Sequence, residues 1–189
     1  MKFKHLLTVL AACVVLNASA ASQSQNHNNM SNNTKKLVAY FSATGTTMEA
    51  APELAKVIGA DIHEIVPEVP YTAADLNWRD KSSRSSVEMA DKSSRPSIAN
   101  RVENMDQYDT VFVGYPIWWY IAPTIINTFL EQYDMAGKTI VPFFTSGGSG
   151  AGETMKYLKP SAPEANWVNP KSFNYMNEDD MRLWVESLK

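Results

Sequence analysis

The chain has 189 residues, 44% of them hydrophobic, which is enough for one domain with a substantial core. Its formal net charge is −3; without Lys2 and Lys4 of a predicted leader, 15 basic and 20 acidic residues remain, a net charge of −5. A mildly acidic chain lacks the basic surface expected of a general nucleic-acid-binding protein.

Residues 1–20 have the three-part pattern of a secretory signal peptide. Lys2 and Lys4 precede the apolar stretch Leu6 to Leu16, and Ala18-Ser19-Ala20 offers small residues for cleavage after Ala20. Because the apolar stretch is shorter than a typical membrane span, we expect a periplasmic or secreted protein without a membrane span.

The start of the chain leaves two other interpretations open. Leu10-Ala11-Ala12-Cys13 also fits a bacterial lipobox, which would make Cys13 the anchor of a lipoprotein, and translation from Met30 would leave the protein in the cytoplasm. Cys13 is the only cysteine, so cleavage after Ala20 leaves no disulfide and no thiol nucleophile. Residues 21–34 are rich in Ser, Asn and Gln, a composition that predicts a disordered linker.

The first predicted strand, Lys36 to Phe41, leads directly into a hydroxyl-rich turn and then into a helical pattern. The first N–H groups of a helix have no partner within it and carry partial positive charge, so a phosphate is stabilised there. The turn contains no Lys or Arg and does not match the Gly-Lys-Ser/Thr loop that binds magnesium triphosphates. The alternative is an ordinary turn in which a Thr caps the helix. The predicted phosphate-binding residues are Ser42, Thr44, Gly45, Thr46 and Thr47.

A stripe of apolar residues predicts an amphipathic helix after this turn, with Ala51, Leu54, Ala55 and Ile58 on one face. Pro52 conflicts with the pattern because it removes a helix hydrogen bond, so we expect it to bend the helix or delay its start. Further apolar runs predict four more strands, at Asp61 to Val66, Thr110 to Gly114, Thr139 to Thr145 and Ala165 to Val168.

Two more helices complete the pattern. One opens at Ala122-Pro123 and has an apolar stripe of Ile126, Phe129, Leu130 and Tyr133. The last is capped by Asn177, followed by Glu178, Asp179 and Asp180 and by an apolar stripe of Met181, Trp184, Val185 and Leu188. Apolar strands alternating with amphipathic helices predict a doubly wound α/β domain over residues 35–189, with a parallel sheet covered on both faces. Ligands bind such sheets beyond the carboxyl ends of the strands.

Two further loops are predicted to reach this edge of the sheet. Trp118-Trp119 follows the third strand, and Ser146-Gly147-Gly148-Ser149-Gly150 follows the fourth. The second loop is close to the Gly-x-Ser-x-Gly pattern of serine hydrolases, but Ala151 replaces the last Gly. A hydrolase of this fold needs a histidine after its serine, and the three histidines all precede Ser149: His5, His27 and His63. A serine hydrolase is therefore disfavoured, and plain turn chemistry is the alternative for this loop.

From Lys36 to the C-terminus the chain resembles the flavodoxins. The resemblance rests on Ser42 to Thr47, Val113-Gly114-Tyr115-Pro116-Ile117-Trp118-Trp119, Gly137-Lys138-Thr139-Ile140 and Thr145 to Gly150. It implies a five-stranded parallel sheet in the order 2-1-3-4-5, and FMN as a non-covalent cofactor whose phosphate lies in the turn from Ser42 to Thr47. The isoalloxazine ring would lie against Pro116, Ile117, Trp118 and Trp119. Its pyrimidine edge would face backbone N–H groups of Thr145, Ser146, Gly147 and Gly148.

The chain departs from the flavodoxin pattern in two respects. Many flavodoxins have a glycine beside the flavin N5 atom whose peptide flips to support one-electron chemistry, and here no glycine lies between Tyr115 and Ala122. Low-potential flavodoxins are also commonly very acidic, whereas this chain is only mildly so.

For Trp118-Trp119, the alternative is a surface-exposed aromatic or a core plug at the strand end.

A polar segment from Pro67 to Gln107 takes the place of the helix between the second and third strands. It contains Asp80-Lys81-Ser82-Ser83-Arg84, repeated as Asp91-Lys92-Ser93-Ser94-Arg95. The expected anchors are Trp78, Val87, Met89 and Ile98. We interpret the segment as a solvated connection. The alternative is a lid or docking surface near the flavin, with an anionic substrate or NAD(P)H facing Arg84, Arg95 and Arg101.

The resemblance implies a redox protein in which FMN exchanges electrons and neither a side chain nor a metal ion is catalytic. The favoured function is that of an electron carrier, and the alternative is an NAD(P)H-dependent quinone or nitro-compound reductase. A third possibility is a binding module that has lost its cofactor. The expected partner is a redox protein or a quinone-like small molecule, not a nucleic acid.

Overall fold

A parallel β-sheet lies at the centre of the computed structural model, which describes residues 35–188. The predicted signal peptide, residues 1–20, and linker, residues 21–34, lie outside this part of the chain and stay predictions. The strands are β1 Lys35–Tyr40, β2 Asp61–Glu64, β3 Tyr108–Pro116, β4 Thr139–Thr145, β5 Asn166–Trp167 and β6 Lys171–Ser172. The helices are α1 Thr46–Ile58, α2 Arg84–Ala90, α3 Ile125–Glu131, α4 Thr154–Leu158 and α5 Glu178–Glu186. Among the described residues, no helix combines the length and apolar character needed to cross a membrane.

The strand order β2-β1-β3-β4-β5 confirms the doubly wound arrangement, and every strand pair is parallel. Over residues 35–188 the sheet has six strands rather than the predicted five, because one edge is divided. β5 pairs with the first two residues of β4, and β6 pairs with Phe143 and Phe144 further along the same strand. Pro170 lies between the two pieces and has no N–H to donate to a ladder, so it favours a break at this point.

Pro52 lies inside α1, which begins at Thr46, so the expected delay of the helix start is wrong, whereas the expected bend stays a prediction. The proline side chain is exposed, as is Met48, whose carbonyl group loses its helical partner at this position. Water can therefore satisfy that carbonyl, and the helix continues to Ile58.

The two later helices agree with the predicted patterns to different degrees. α5 begins with a capping box in which Asn177 and Asp180 bond each other's backbone N–H groups, which confirms the predicted cap. α3 begins two residues after Pro123, whose carbonyl accepts from the Ile126 N–H at 3.0 Å. The proline therefore precedes the helix instead of opening it, and Tyr133 lies beyond the helix end.

Each face of the sheet carries its own apolar core. Leu37 and Ala39 of β1 pack with the residues of α3 and α4, whereas Val38 and Tyr40 pack with those of α1 and α5. Because alternate residues of one strand are buried on opposite faces, the strand is apolar throughout. A fully buried leucine such as Leu37 contributes about 2 kcal/mol relative to an exposed one.

The register of the central strands brings their carboxyl ends to one edge. Tyr40 of β1 pairs with Gly114 of β3, and Pro116 of β3 pairs with Thr145 of β4. Gly114 allows this close packing, since a Cβ built on it would lie 2.2 Å from the Phe143 ring. The loops after β1, β3 and β4 therefore start in the same region, as the sequence predicted.

The segment from Pro67 to Gln107 is folded, which differs from the expected solvated connection. An antiparallel bridge joins Pro67, at its start, to Ile98. Ser85 of α2 is buried, and its N–H and hydroxyl groups both donate to the Asp75 carbonyl, at 3.0 and 2.6 Å. Of the expected anchors, Met89 and Ile98 pack inward, whereas Trp78 and Val87 are exposed.

The repeated five-residue motif forms the same local turn twice. Asp80 accepts from the N–H and hydroxyl groups of Ser82 at 2.8 and 2.7 Å, and Asp91 accepts from those of Ser93 at 2.9 and 2.6 Å. These hydrogen bonds lower the pKa of both carboxyl groups. The repeat therefore serves local turn formation.

Candidate functional site

The turn after β1 leaves N–H groups free at the start of α1. Gly45 is the N-cap with φ 95°, so the alternative in which a Thr caps the helix is wrong. The Gly45 N–H donates to Ser42 Oγ at 3.1 Å, and the Glu49 N–H donates to the Gly45 carbonyl at 3.0 Å. The N–H groups of residues 46–48 have no partner within the described chain. Three such groups at the positive end of a helix suit a phosphate.

The hydroxyl groups of this turn differ in exposure. Thr44 and Thr46 are exposed at the helix start, whereas Ser42 is half-buried and its hydroxyl accepts the Gly45 N–H. Thr47 is fully buried, and its hydroxyl lies 2.8 Å from that of Thr145 at the end of β4. This hydrogen bond joins the first loop of the site to the third.

Trp119 and Tyr120 are the central residues of a tight turn after β3. Trp118 and Ile121 exchange both backbone hydrogen bonds, at 2.9 and 3.0 Å. Trp119 and Tyr120 have φ values of 46° and 66°, a left-handed conformation that such turns usually give to Asn or Gly. For a residue with a large side chain this conformation costs about 1–2 kcal/mol. The turn therefore stores strain while presenting two aromatic side chains, a combination typical of functional sites.

The segment before α4 packs against this turn. The Ala122 N–H donates to Thr154 Oγ1 at 3.1 Å, and that hydroxyl donates to the Ala151 carbonyl at 2.6 Å. Gly152, with φ 52°, touches the Tyr120 carbonyl so closely that an added Cβ would lie 2.1 Å from its oxygen. Gly152 was not predicted as a site residue, because its only signal in the sequence is its place in a glycine-containing loop.

The two tryptophans have different environments. Trp118 is half-buried and packs edge-on against Phe41 and Tyr71, at ring-centre distances of 5.7 and 5.3 Å. Trp119 is 41% exposed. Trp118 thus fixes the turn to the core, and Trp119 presents its indole at the edge of the sheet.

Tyr71 belongs to the segment from Pro67 to Gln107, called the inserted segment below, and joins it to this aromatic cluster. Its hydroxyl donates to Glu88 Oε2 at 2.5 Å, and the Arg84 guanidinium lies 4.0 Å from the centre of its ring. Arg84 Nε also pairs with Glu88 Oε1 at 2.7 Å. Burial, and then the hydrogen bond to Glu88, raise the pKa of Tyr71, so its hydroxyl stays protonated as a donor at ordinary pH.

A cavity of about 530 Å³, here called the Trp118 cavity, lies among the turn after β1, the turn after β3 and the inserted segment. Its described lining consists of Thr44, Leu76, Trp78, Ser85, Ile117, Trp118, Trp119 and Tyr120. The volume is typical of a cofactor site, and the mainly aromatic and apolar lining suits a planar ring. Four of the predicted binding residues line it: Thr44, Ile117, Trp118 and Trp119. Within residues 35–188, no cluster of His, Cys, Asp or Glu is placed to hold a metal ion.

The Gly-rich loop after β4 lies outside this described lining and is held by Asn174, which sequence analysis did not identify. Asn174 Oδ1 accepts from the Ser146 N–H at 2.6 Å, and its Nδ2 donates to Ser146 Oγ at 3.0 Å. The Gly148 N–H donates to the same Oγ at 3.2 Å. Of the N–H groups of residues 146–148, only that of Gly147 has no partner in the described chain. Among residues 146–148, Gly147 is therefore the one whose N–H is free to donate to a pyrimidine edge.

The inserted segment reaches the site, but not through the arginines considered from the sequence. Leu76, Trp78 and Ser85 line the Trp118 cavity. Arg95 instead bonds both carboxylate oxygens of Glu131, and Arg101 donates to a backbone carbonyl beyond α3. The lid interpretation therefore gains support from position, whereas Arg84, Arg95 and Arg101 stabilise the protein itself.

Replacing Tyr120 by Gly is expected to stabilise the apoprotein. The substitution relieves the left-handed strain and removes a side chain that is 72% exposed, so we expect the free energy of unfolding in urea to rise by about 0.5–1 kcal/mol. Tyr175→Gly is the matched control, because Tyr175 is 96% exposed and does not have a positive φ. An equal rise in the free energy of unfolding for both variants would contradict backbone strain at Tyr120.

Replacing Gly152 by Ala is expected to destabilise the protein more than replacing Gly59 by Ala. Both glycines have positive φ, but only Gly152 faces a contact, so the clash with Tyr120 adds at least about 1 kcal/mol to the shared strain. Urea unfolding of the two variants measures the difference. Equal losses of stability in the two variants would show that a Cβ at position 152 does not clash with the Tyr120 carbonyl.

Comparisons with known proteins agree with the geometry. A family model described as Flavodoxin matches residues 35–188. The crystal structure of a candidate flavoprotein from Bacteroides eggerthii DSM 20697 is 52% identical, with a TM-score of 0.79 over 82% of this chain and 98% of that one. Another, from Bacteroides uniformis ATCC 8492, is 47% identical, with a TM-score of 0.77 over 81% and 98%. A comparison with curated proteins gave no match.

A more distant structure shares the fold. The flavoprotein from Lactobacillus acidophilus NCFM, solved in complex with FMN, is 23% identical, with a TM-score of 0.62 over 74% of this chain and 93% of that one. The family model covers most of the chain, and the two Bacteroides proteins are related over nearly their whole length. This chain therefore belongs to the flavodoxin family.

Proposed function

We propose that the protein binds FMN non-covalently at the carboxyl edge of its sheet and serves as an electron carrier. The observation that carries the proposal is the position of Thr44, which belongs to the turn with free N–H groups and also lines the Trp118 cavity. One site thus combines an anion-binding helix start with an aromatic cavity. FMN has the matching parts, a phosphate joined by a polar chain to a planar ring. Membership of the flavodoxin family supports the same cofactor.

The phosphate of FMN would be held by neutral donors. The N–H groups of residues 46–48 point from the start of α1, and the exposed hydroxyls of Thr44 and Thr46 add two donors. The helix dipole and these donors offset the phosphate charge, because the turn from Ser42 to Thr47 has no Lys or Arg.

The ring of FMN would lie between a fixed wall and an exposed one. Trp118 is held by Phe41 and Tyr71, so its indole is a preorganised contact, whereas Trp119 and Tyr120 stand at the solvent side. Each aromatic contact of this kind contributes about 0.5–1.5 kcal/mol beyond the burial of area. These walls exclude water from the ring while leaving one edge open to a redox partner.

When bound, FMN supplies the electron acceptor and donor, and the protein supplies position and environment. The described lining of the Trp118 cavity contains no carboxylate, histidine or lysine. Electron exchange by a bound flavin needs no such side chain, so this lining is compatible with an electron carrier.

Two further observations bear on cofactor and location. The FMN complex of the Lactobacillus acidophilus flavoprotein supports the cofactor, since the same fold accommodates FMN there. We also propose that the chain is exported and cleaved after Ala20, on the strength of the leader pattern in residues 1–20. Residues 21–34 would then link the mature N-terminus to the FMN-binding domain.

Replacing Thr44 and Thr46 together by Ala is expected to weaken FMN binding about a hundredfold, because two hydroxyl donors to a charged group are lost. Fluorescence titration of the apoprotein with FMN measures the change. Riboflavin, which has no phosphate, should bind the variant as well as it binds the parent. Thr139→Ala, at the opposite end of β4, serves as the control and should leave FMN affinity unchanged. An unchanged FMN affinity in the double variant would place the phosphate elsewhere.

The FMN-loaded protein is expected to show no sustained turnover with NADPH and menadione. A carrier without a catalytic acid, base or nucleotide site needs a partner reductase, so NADPH oxidation should stay at the level given by the same concentration of free FMN. Absorbance at the NADPH band measures the rate. Sustained quinone reduction well above the free-FMN control would favour the NAD(P)H-dependent reductase instead.

A further inference from the structure

A second cavity of about 570 Å³ adjoins the Trp118 cavity. We call it the Arg79 cavity, and its described lining consists of Trp78, Arg79, Lys81, Ser86, Met89, Ala90 and Trp119. Trp78 and Trp119 line both cavities, so the two spaces meet along these indoles. The mechanism proposed above makes no use of the second space.

Arg79 and Lys81 bring two positive charges to the Arg79 cavity. Both side chains are exposed, and neither forms an ion pair with another described residue. Asp80, between them in sequence, bonds to Ser82 and is not part of the lining. The two cations are therefore available to an external anion.

The other basic side chains of the inserted segment bond within the protein. Arg84 and Arg95 pair with glutamates, and Lys92 and Arg101 donate to backbone carbonyls. Arg79 and Lys81 thus differ from the other four cations of the segment, which are held by partners within the protein. Because the whole chain has a net charge of −3, a locally positive cavity is a specific feature and not a general property of the surface.

The remaining lining offers flat apolar faces. Trp78 is 64% exposed and Trp119 is 41% exposed, although both are large aromatic residues that would usually be buried. The Arg79 guanidinium lies 4.5 Å from the centre of the Trp78 ring, which holds the charge beside the aromatic surface. Met89, buried in α2, adds an apolar contact. Exposed aromatic groups around a concave space indicate a binding site for a small molecule.

We propose that the Arg79 cavity binds a planar aromatic anion, an aromatic carboxylate or sulfonate. Its ring lies against Trp78 and Trp119, and its acid group lies between Arg79 and Lys81. The volume suits a compound of one or two fused rings. Since the two indoles line both cavities, the bound ring lies next to the proposed FMN site. Only the position of the ring beside FMN rests on the proposed function; binding of the anion does not.

The test compares 2-naphthalenesulfonate with its neutral counterpart, 2-naphthalenesulfonamide, by isothermal titration calorimetry on apoprotein and on FMN-loaded protein. We expect the sulfonate to bind at one site about tenfold more tightly than the sulfonamide, because two exposed cations stabilise the anion. Arg79→Gln with Lys81→Gln should remove this preference and leave FMN affinity unchanged, since neither residue lines the Trp118 cavity. Lys159→Gln with Lys171→Gln removes the same charge from exposed positions outside both cavities and should bind the sulfonate normally.

Equal affinities for the two probes, or a preference that survives the Arg79 and Lys81 substitutions, would overturn the proposal. Absence of any sulfonate binding would also overturn the proposal. That result is expected if the Arg79 cavity binds a partner protein instead of a small anion. Displacement of FMN by the sulfonate would show that the probe occupies the Trp118 cavity, which again contradicts a second site. Failure to bind FMN would contradict only the proposed function, because the sulfonate titration of the apoprotein is read separately.

Discussion

The parallel pairing of β1, β3 and β4 is the constraint on which the site depends. It brings the carboxyl ends of three buried strands to one edge, so the turn at Thr44, the turn at Trp119 and the Gly-rich loop start close together. Gly114 permits the tight packing of β3 against Phe143, and the hydroxyls of Thr47 and Thr145 join the first loop to the third. Burial of the strands on both faces makes this arrangement rigid, which positions N–H donors and aromatic walls before a ligand arrives.

The turn after β3 shows how strain and binding are combined. Trp119 and Tyr120 adopt a conformation that glycine would hold more easily, yet glycine would leave the cavity without two of its aromatic walls. Gly152 leaves room for the Tyr120 carbonyl because it has no Cβ, and Trp118 anchors the turn in the core. The local loss of stability is thus offset by packing around the turn, and the exposed indole of Trp119 is shared by two cavities.

Features fixed by local sequence were predictable, and those fixed by contacts between distant segments were not. The strand order, the Asn177 cap and the hydroxyl-rich turn followed from apolar runs, capping chemistry and the family resemblance. β6 and its neighbour Asn174 were missed because a two-residue edge strand has no periodicity of its own. The start of α3 was misplaced because Pro123 suits a position before a helix as well as its first turn.

The inserted segment differs most from its prediction. Its polar composition indicated a solvated connection, and the two copies of its repeated motif form two local turns. Which of its cations are free depends on where Glu88 and Glu131 lie, and their positions are set by tertiary packing. Arg79 and Lys81 consequently emerged only from the three-dimensional arrangement.

The most direct test of the site is an NMR titration of nitrogen-15-labelled apoprotein with FMN and, separately, with riboflavin. We predict that the amide resonances of residues 46–48 shift with FMN and not with riboflavin, because only FMN brings a phosphate to the start of α1. The indole N–H resonance of Trp119 should shift with both ligands, since both carry the ring. Amide resonances of residues 46–48 that stay in place while FMN binds would show that the phosphate is held elsewhere and would contradict the site described above.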